Sequence, residues 1–168
     1  MIMKLLKVFL PLFFFSIFCF KSFSQNNLSI KGKWLCVQVY LDNSDKANPN
    51  VLKFVESENK YNSNNSTYCF TDGNFKLIDK GKVENLGKNV VYRLVTDLKG
   101  FFEGKNVINA DGKILVIYDS SERIDPDDIA LGPFEIVSIS ESEMILKDIH
   151  PRKLREYGEG LNYKFVKQ

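Results

Sequence analysis

Tyr68-Cys69-Phe70-Thr71-Asp72-Gly73-Asn74-Phe75-Lys76-Leu77-Ile78 reads as two short strands and the turn that joins them. Aromatic and β-branched residues flank an Asp-Gly pair, which supplies the positive φ that a two-residue hairpin turn demands. The same grammar runs outward in both directions. Trp34 to Leu41 reads as a first strand. Side chains alternate along a strand, so Trp34, Cys36 and Gln38 share one face and Leu35, Val37 and Val39 the other. Val107-Ile108 and Ile114 to Tyr118, on either side of Asn109-Ala110-Asp111-Gly112, read as a second hairpin. Phe134 to Ile139 and Met144 to Leu146, joined through Ser140-Glu141-Ser142-Glu143, read as a third. Val90 to Thr96, Leu161 to Val166 and a further strand near Phe101 bring the expected total to eight or nine strands with very little helix. The fold class this implies is all-β and antiparallel.

Three polar connections interrupt the strands. Asp42 to Ser66 is long and rich in Asn and Ser. Inside it, Val51-Leu52-Lys53-Phe54-Val55-Glu56 reads either as one or two turns of helix capped by Asn50 or as an irregular loop with anchoring side chains. Ser120 to Gly132 carries Glu122, Asp125, Asp127 and Asp128, and Ile149 to Gly160 carries His150, Arg152, Lys153 and Arg155.

The N-terminus has a different character. Met1-Ile2-Met3-Lys4-Leu5-Leu6-Lys7 leads into an almost wholly apolar run from Val8 to Phe20, then Lys21-Ser22-Phe23-Ser24-Gln25. Positive charge, a short apolar stretch and small residues before a cleavage point are the parts of a secretory signal. The apolar run of 13 residues falls short of the ~20 that a spanning helix needs. Cys19 follows Phe18 rather than a small residue, which departs from a lipidation site. Residues 1–24 are therefore expected to be a cleavable signal peptide and residues 25–168 one domain, secreted or periplasmic. Cleavage removes Lys4, Lys7 and Lys21 and no acid, so the net charge of +2 becomes −1. A near-neutral chain has no broad field for nucleic acid or for an anionic membrane, and neither partner is expected.

The 144 residues that remain are enough for a genuine core. Cys36 and Cys69 survive cleavage, and export permits a disulfide between them. Their strand phases differ, Cys36 sharing a face with Trp34 and Cys69 opposing Tyr68 and Phe70, which argues for two free thiols.

Gly32-Lys33-Trp34, the Phe70 to Phe75 aromatic-turn-aromatic hairpin, Phe134 to Ser140 with Met144-Ile145-Leu146, and Tyr163-Lys164-Phe165 occur in an order that resembles the lipocalin-like domains of exported bacterial proteins, in the calycin group. The resemblance spans most of residues 30–167. It implies a small up-and-down β-barrel closed by pairing the last strand with the first, Trp34 plugging one end, and room inside for packed side chains or one small ligand.

Catalytic chemistry is not signalled. The single histidine, His150, stands ahead of Pro151 with no Ser or Cys motif near it. There is no Cys-x-x-Cys, no histidine pair and no phosphate-cradling glycine loop, so no metal, cofactor or enzymatic activity is expected. Glu122 to Asp128 lacks the alternating ligands and turn glycine of a calcium loop.

What remains is an inward face of Tyr68, Phe70, Phe75, Leu77, Tyr92, Leu94, Tyr118, Phe134, Ile136, Met144 and Leu146. Either it fills a solid core or it lines a cavity. In the second case the expected ligand-binding residues are Gln38, Tyr68, Phe70, Tyr92, Tyr118 and Phe134, apolar walls with a few hydrogen-bonding tips, for a small hydrophobic or amphipathic molecule. A solid core favours an interaction module whose loops meet a protein or cell-envelope partner. The expected mouth lies beside the Asp42 to Ser66 connection, with Val51, Leu52, Phe54 and Val55 as its cover. N-terminal sequencing of exported protein is expected to read from Gln25, and an intact Met1 on a membrane-bound form would refute the signal-peptide reading.

Overall fold

The computed structural model describes residues 29–121 and 129–168. Residues 1–24, expected to be a signal peptide, and the acidic stretch 122–128 lie outside these residues. Nine strands follow in order: β1 (Gly32–Tyr40), β2 (Ser66–Thr71), β3 (Asn74–Asp79), β4 (Lys82–Val83), β5 (Val90–Val95), β6 (Ile114–Asp119), β7 (Leu131–Ile139), β8 (Glu143–Asp148) and β9 (Asn162–Lys167). Between them lie α1 (Pro49–Asn62), the short helices α2 (Leu98–Phe102) and α3 (Pro151–Tyr157), and a 3-10 turn over Ser44–Lys46.

All neighbouring strands are antiparallel, β9 pairs with β1, and β2 pairs with both β1 and β3. Eight strands therefore close into an up-and-down barrel, and β4 adds a ninth that pairs only with β3. The Asp72-Gly73 turn takes φ values of 45° and 86°, the positive pair that such a hairpin needs. Only one register pair, Asn74 with Val91, joins β3 to β5. β5 consequently runs on past the Asp72-Gly73 turn, while β4 covers the part of β3 that β5 does not reach.

The barrel interior is aromatic. Trp34, Phe70 and Phe165 are fully buried. The Tyr68 ring meets those of Phe165 at 4.7 Å and Phe75 at 5.4 Å, and Phe70 meets Tyr92 at 5.1 Å, centroid to centroid. Such tilted and edge-on pairs are preferred by the ring quadrupole. The Trp34 indole also donates through Nε1 to the Ile30 carbonyl at 2.7 Å, which ties the entering chain across this end of the barrel.

Four expectations need correction. Gln38 is exposed, not inward, because a bulge between Cys36 and Gln38 resets the alternation and sends Val39 into the core instead. The bulge is held by the far end of α1: the Ser63 hydroxyl donates to Val37 O at 2.7 Å, the Asn64 amide to Cys36 O at 2.7 Å, and the Val39 amide to Asn59 Oδ1 at 2.8 Å. Tyr118 faces outward, into a second cluster with Val95, Phe101 and Val116. Its ring lies 5.5 Å from that of Phe101, which belongs to helix α2 rather than to a strand. Finally, Val107 and Ile108 do not form a hairpin with β6. They run back along β5 instead, where the Thr96 amide donates to Val107 O and the Asn109 amide to Leu94 O, each at 3.0 Å.

The helix inside the first connection spans 14 residues, longer than the apolar run alone suggests. Asn48 caps it, its side chain accepting from the Asn50 amide, and Pro49 occupies the first turn, where no amide is needed. Val51, Phe54 and Val55 pack onto the barrel core. His150 begins α3 in the same way, its Nδ1 accepting from the Arg152 amide at 3.2 Å. Among the described residues no helix is long and apolar enough to cross a membrane.

Trp34→Ala is expected to cost ~3–5 kcal/mol through lost contacts and a residual cavity. Chemical denaturation of mutant and parent checks this, and an unchanged midpoint would contradict the buried position of the indole.

Candidate functional site

The two ends of the barrel are built differently. At one end α1 lies over the interior, fastened to β1 by the three hydrogen bonds at the bulge. At the Trp34 end, β5 runs on beyond β3 and β7 beyond β6. β7 leaves β6 after the Ile114 and Glu135 pair, with one more bond from the Ile136 amide to Lys113 O at 2.7 Å. Ser138 and Ile139 continue with β8 as their only registered partner, and Val137 stands at a register shift before them.

Between these projecting strands lies a cleft of about 1140 Å³. Ser29 to Lys31 form one wall, Gly73 and Tyr92 to Leu94 a second, the arch Ile108 to Lys113 a third, and Ile136 to Ile139 the last. Its floor is the end of the barrel core, since Ile30, Tyr92, Leu94, Ile136 and Ile139 all belong to that cluster. Ile108 and Val137 stand half-exposed beside it, at 53% and 50%. The arch lies flat because of Gly112: a Cβ there would fall 2.7 Å from the Val95 backbone. A smaller recess of about 440 Å³ adjoins it, sharing Asp111 and Lys113 with the larger cleft and adding Glu135. The cleft therefore opens at the end opposite the expected mouth, and the Val51 to Val55 face is packed against the core.

Of the residues expected to bind a ligand, Tyr92 alone lines this cleft. Tyr68, Phe70 and Phe134 are at most 3% exposed and are packed against one another and their neighbours. Burial pushes the Tyr68 and Tyr163 phenols well above the usual tyrosine range, so both stay neutral. Gln38 and Tyr118 lie outside the barrel, as described above. Ile30, Arg93, Lys113 and the arch are the parts that the sequence reading missed. Arg93 carried a signal, as the single charge inside Val90-Val91-Tyr92-Arg93-Leu94-Val95.

Charged groups at the rim are Lys31, Arg93, Lys113 and Asp111. Lys31 is bridged to Asp72 at 2.7 Å, and that contact raises the ammonium's pKa while lowering the carboxyl's. Among the described residues no group of three or more His, Cys, Asp or Glu side chains is arranged to hold a metal ion. No family model, curated protein or solved structure matches the chain.

Cys36 and Cys69 are free thiols on opposite faces, Cys36 buried inside and Cys69 partly exposed opposite Lys33 and Lys76. Burial pushes the Cys36 thiol up to about 12, so it stays protonated and unreactive at neutral pH. In protein lacking residues 1–24, and so Cys19, a maleimide at pH 7.5 is therefore expected to label Cys69 alone before denaturation and both Cys36 and Cys69 after it. Equal native labelling, read by peptide mass spectrometry, would contradict the inward position of Cys36.

Proposed function

We propose that this chain is an exported, non-enzymatic, lipocalin-like protein that binds a small apolar or amphipathic molecule in the mouth at the Trp34 end. One observation carries the reading: a cleft of about 1140 Å³ lies over that end of the core, floored by Ile30 and Tyr92 and by the partly exposed Leu94, Ile136 and Ile139. Ligand sites are concave, mostly apolar and edged by a few polar groups, and a soluble protein gains by covering such a surface. Export rests on the charged, apolar and small-residue pattern of residues 1–24.

Ile108→Asp tests the reading. Ile108 is half-exposed, so its replacement leaves the unfolding midpoint close to that of the parent. Placing a charge on the wall is expected to weaken a fluorescent fatty-acid-like probe by about tenfold or more, from the ~1.5–3 kcal/mol that burying an isoleucine side chain is worth. An unchanged affinity would move the site away from the arch. If no apolar probe binds the parent, the binding reading fails, and the packed barrel becomes a scaffold presenting its loops to a partner.

A further inference from the structure

The cleft also carries information about the head group of its ligand, an inference that rests on the binding reading above. Arg93 stands on β5 between Tyr92 and Leu94 and lines the cleft. Its guanidinium is fixed over the β2–β3 turn. Nη1 donates to Tyr92 O at 2.8 Å and to Gly73 O at 3.3 Å. Gly73 makes this pose available, because a Cβ at that position would come to 3.0 Å from Nη1.

A guanidinium has five N–H donors on three nitrogens, and only one nitrogen is engaged here. Among the described residues no carboxylate lies within ion-pair distance of Arg93, although the side chain is half-buried. Lys113, on the arch, likewise has no ion-pair partner among those residues. The remaining rim charges are Lys31, already held by Asp72, and Asp111, also on the arch. Two cations without an ion-pair partner among the described residues therefore edge the cleft. A partly buried charge is costly without a counter-ion, and the planar fork of an arginine fits two oxygens of one acid group.

We propose that the mouth takes a single-chain amphiphile with an oxyanion head, carboxylate being the simplest case. The head meets the free edge of Arg93 with Lys113 nearby, and the chain lies along Leu94, Ile108, Ile136 and Ile139. Gly73 and the fixed backbone acceptors orient the guanidinium before the ligand arrives, so little freedom is lost on binding.

The test uses 11-(dansylamino)undecanoate and its methyl ester, each titrated below its aggregation limit into the parent, Arg93→Gln and Lys113→Gln. The acid is expected to bind the parent about tenfold or more tighter than the ester, as charge-assisted hydrogen bonds allow. Arg93→Gln should bring the acid to the ester's affinity and leave the ester unmoved. Retained ester binding also reports that the variant is folded, and Lys113→Gln, at an exposed position, should weaken the acid selectively even if Arg93→Gln does not fold. Acid and ester binding the parent equally would overturn the head-group assignment while leaving the binding reading intact, as would equal weakening of both ligands by the variants. Neither ligand binding would overturn both. Flotation with phosphatidylglycerol vesicles but no response to the monomeric acid would also overturn it, in favour of a membrane-surface contact.

Discussion

Pairing of β9 with β1 is the constraint from which the other features follow. It joins residues at opposite ends of the described chain, Trp34 beside Lys167 and Tyr40 beside Asn162. Without it the sheet would expose two raw edges of unpaired amides and carbonyls. With it there is an inside and an outside, and each strand must divide its side chains between them. Trp34, Cys36 and Val39 from β1 and Tyr163 and Phe165 from β9 enter one interior, where they meet rings from β2 and β3 and from β7. The Lys167 ammonium lies 5.1 Å from the Trp34 ring centre, so even the outer end of the closing strand is in contact with the core.

The sheet leaves two ends to finish, and the chain treats them unequally. One is capped by α1, whose apolar residues are packed on the core and whose last turns are bonded to the β1 backbone. Nearby, Asp148 is almost fully buried but accepts from the His150 amide and pairs with Lys153 at 2.6 Å. The other end is crossed by Ser29 to Lys31 and walled by the arch, with Leu94, Ile136 and Ile139 left partly exposed. A small protein can afford that exposure where the surface has a use.

The strand pattern was legible in the residues themselves because its period is local: Phe70, Gly73 and Phe75 announce a hairpin without help from elsewhere. The misread positions depend on distant partners. Gln38 turns outward because Asn59, Ser63 and Asn64 hold a bulge, and those residues lie more than 20 positions away. Tyr118 belongs to a strand apolar on both faces, so alternation could not show which face met the interior. Helix α2 behind it decides that. Val107 to Gly112 has hairpin chemistry, yet Gly112 sits on the Val95 backbone and the segment pairs with β5 instead. The cleft escaped for the same reason, since its walls come from four separate segments and it lies where β5 outruns β3 and β7 outruns β6.

A hoop gives at its thinnest join, and here that join lies between β3 and β5. Every other neighbouring pair around the barrel shares at least three registered residue pairs, whereas this one has Asn74 and Val91 alone. The seam is reinforced by the Tyr92 amide donating to Gly73 O at 2.8 Å and by Arg93 Nη1 reaching the same carbonyl. Local opening is expected at the least-bonded boundary, with amides there exchanging before those of the β8–β9 ladder. Arg93 is both a stitch in that seam and part of the cleft wall. Replacing Arg93 therefore takes away a bond across that seam together with a group of the cleft wall.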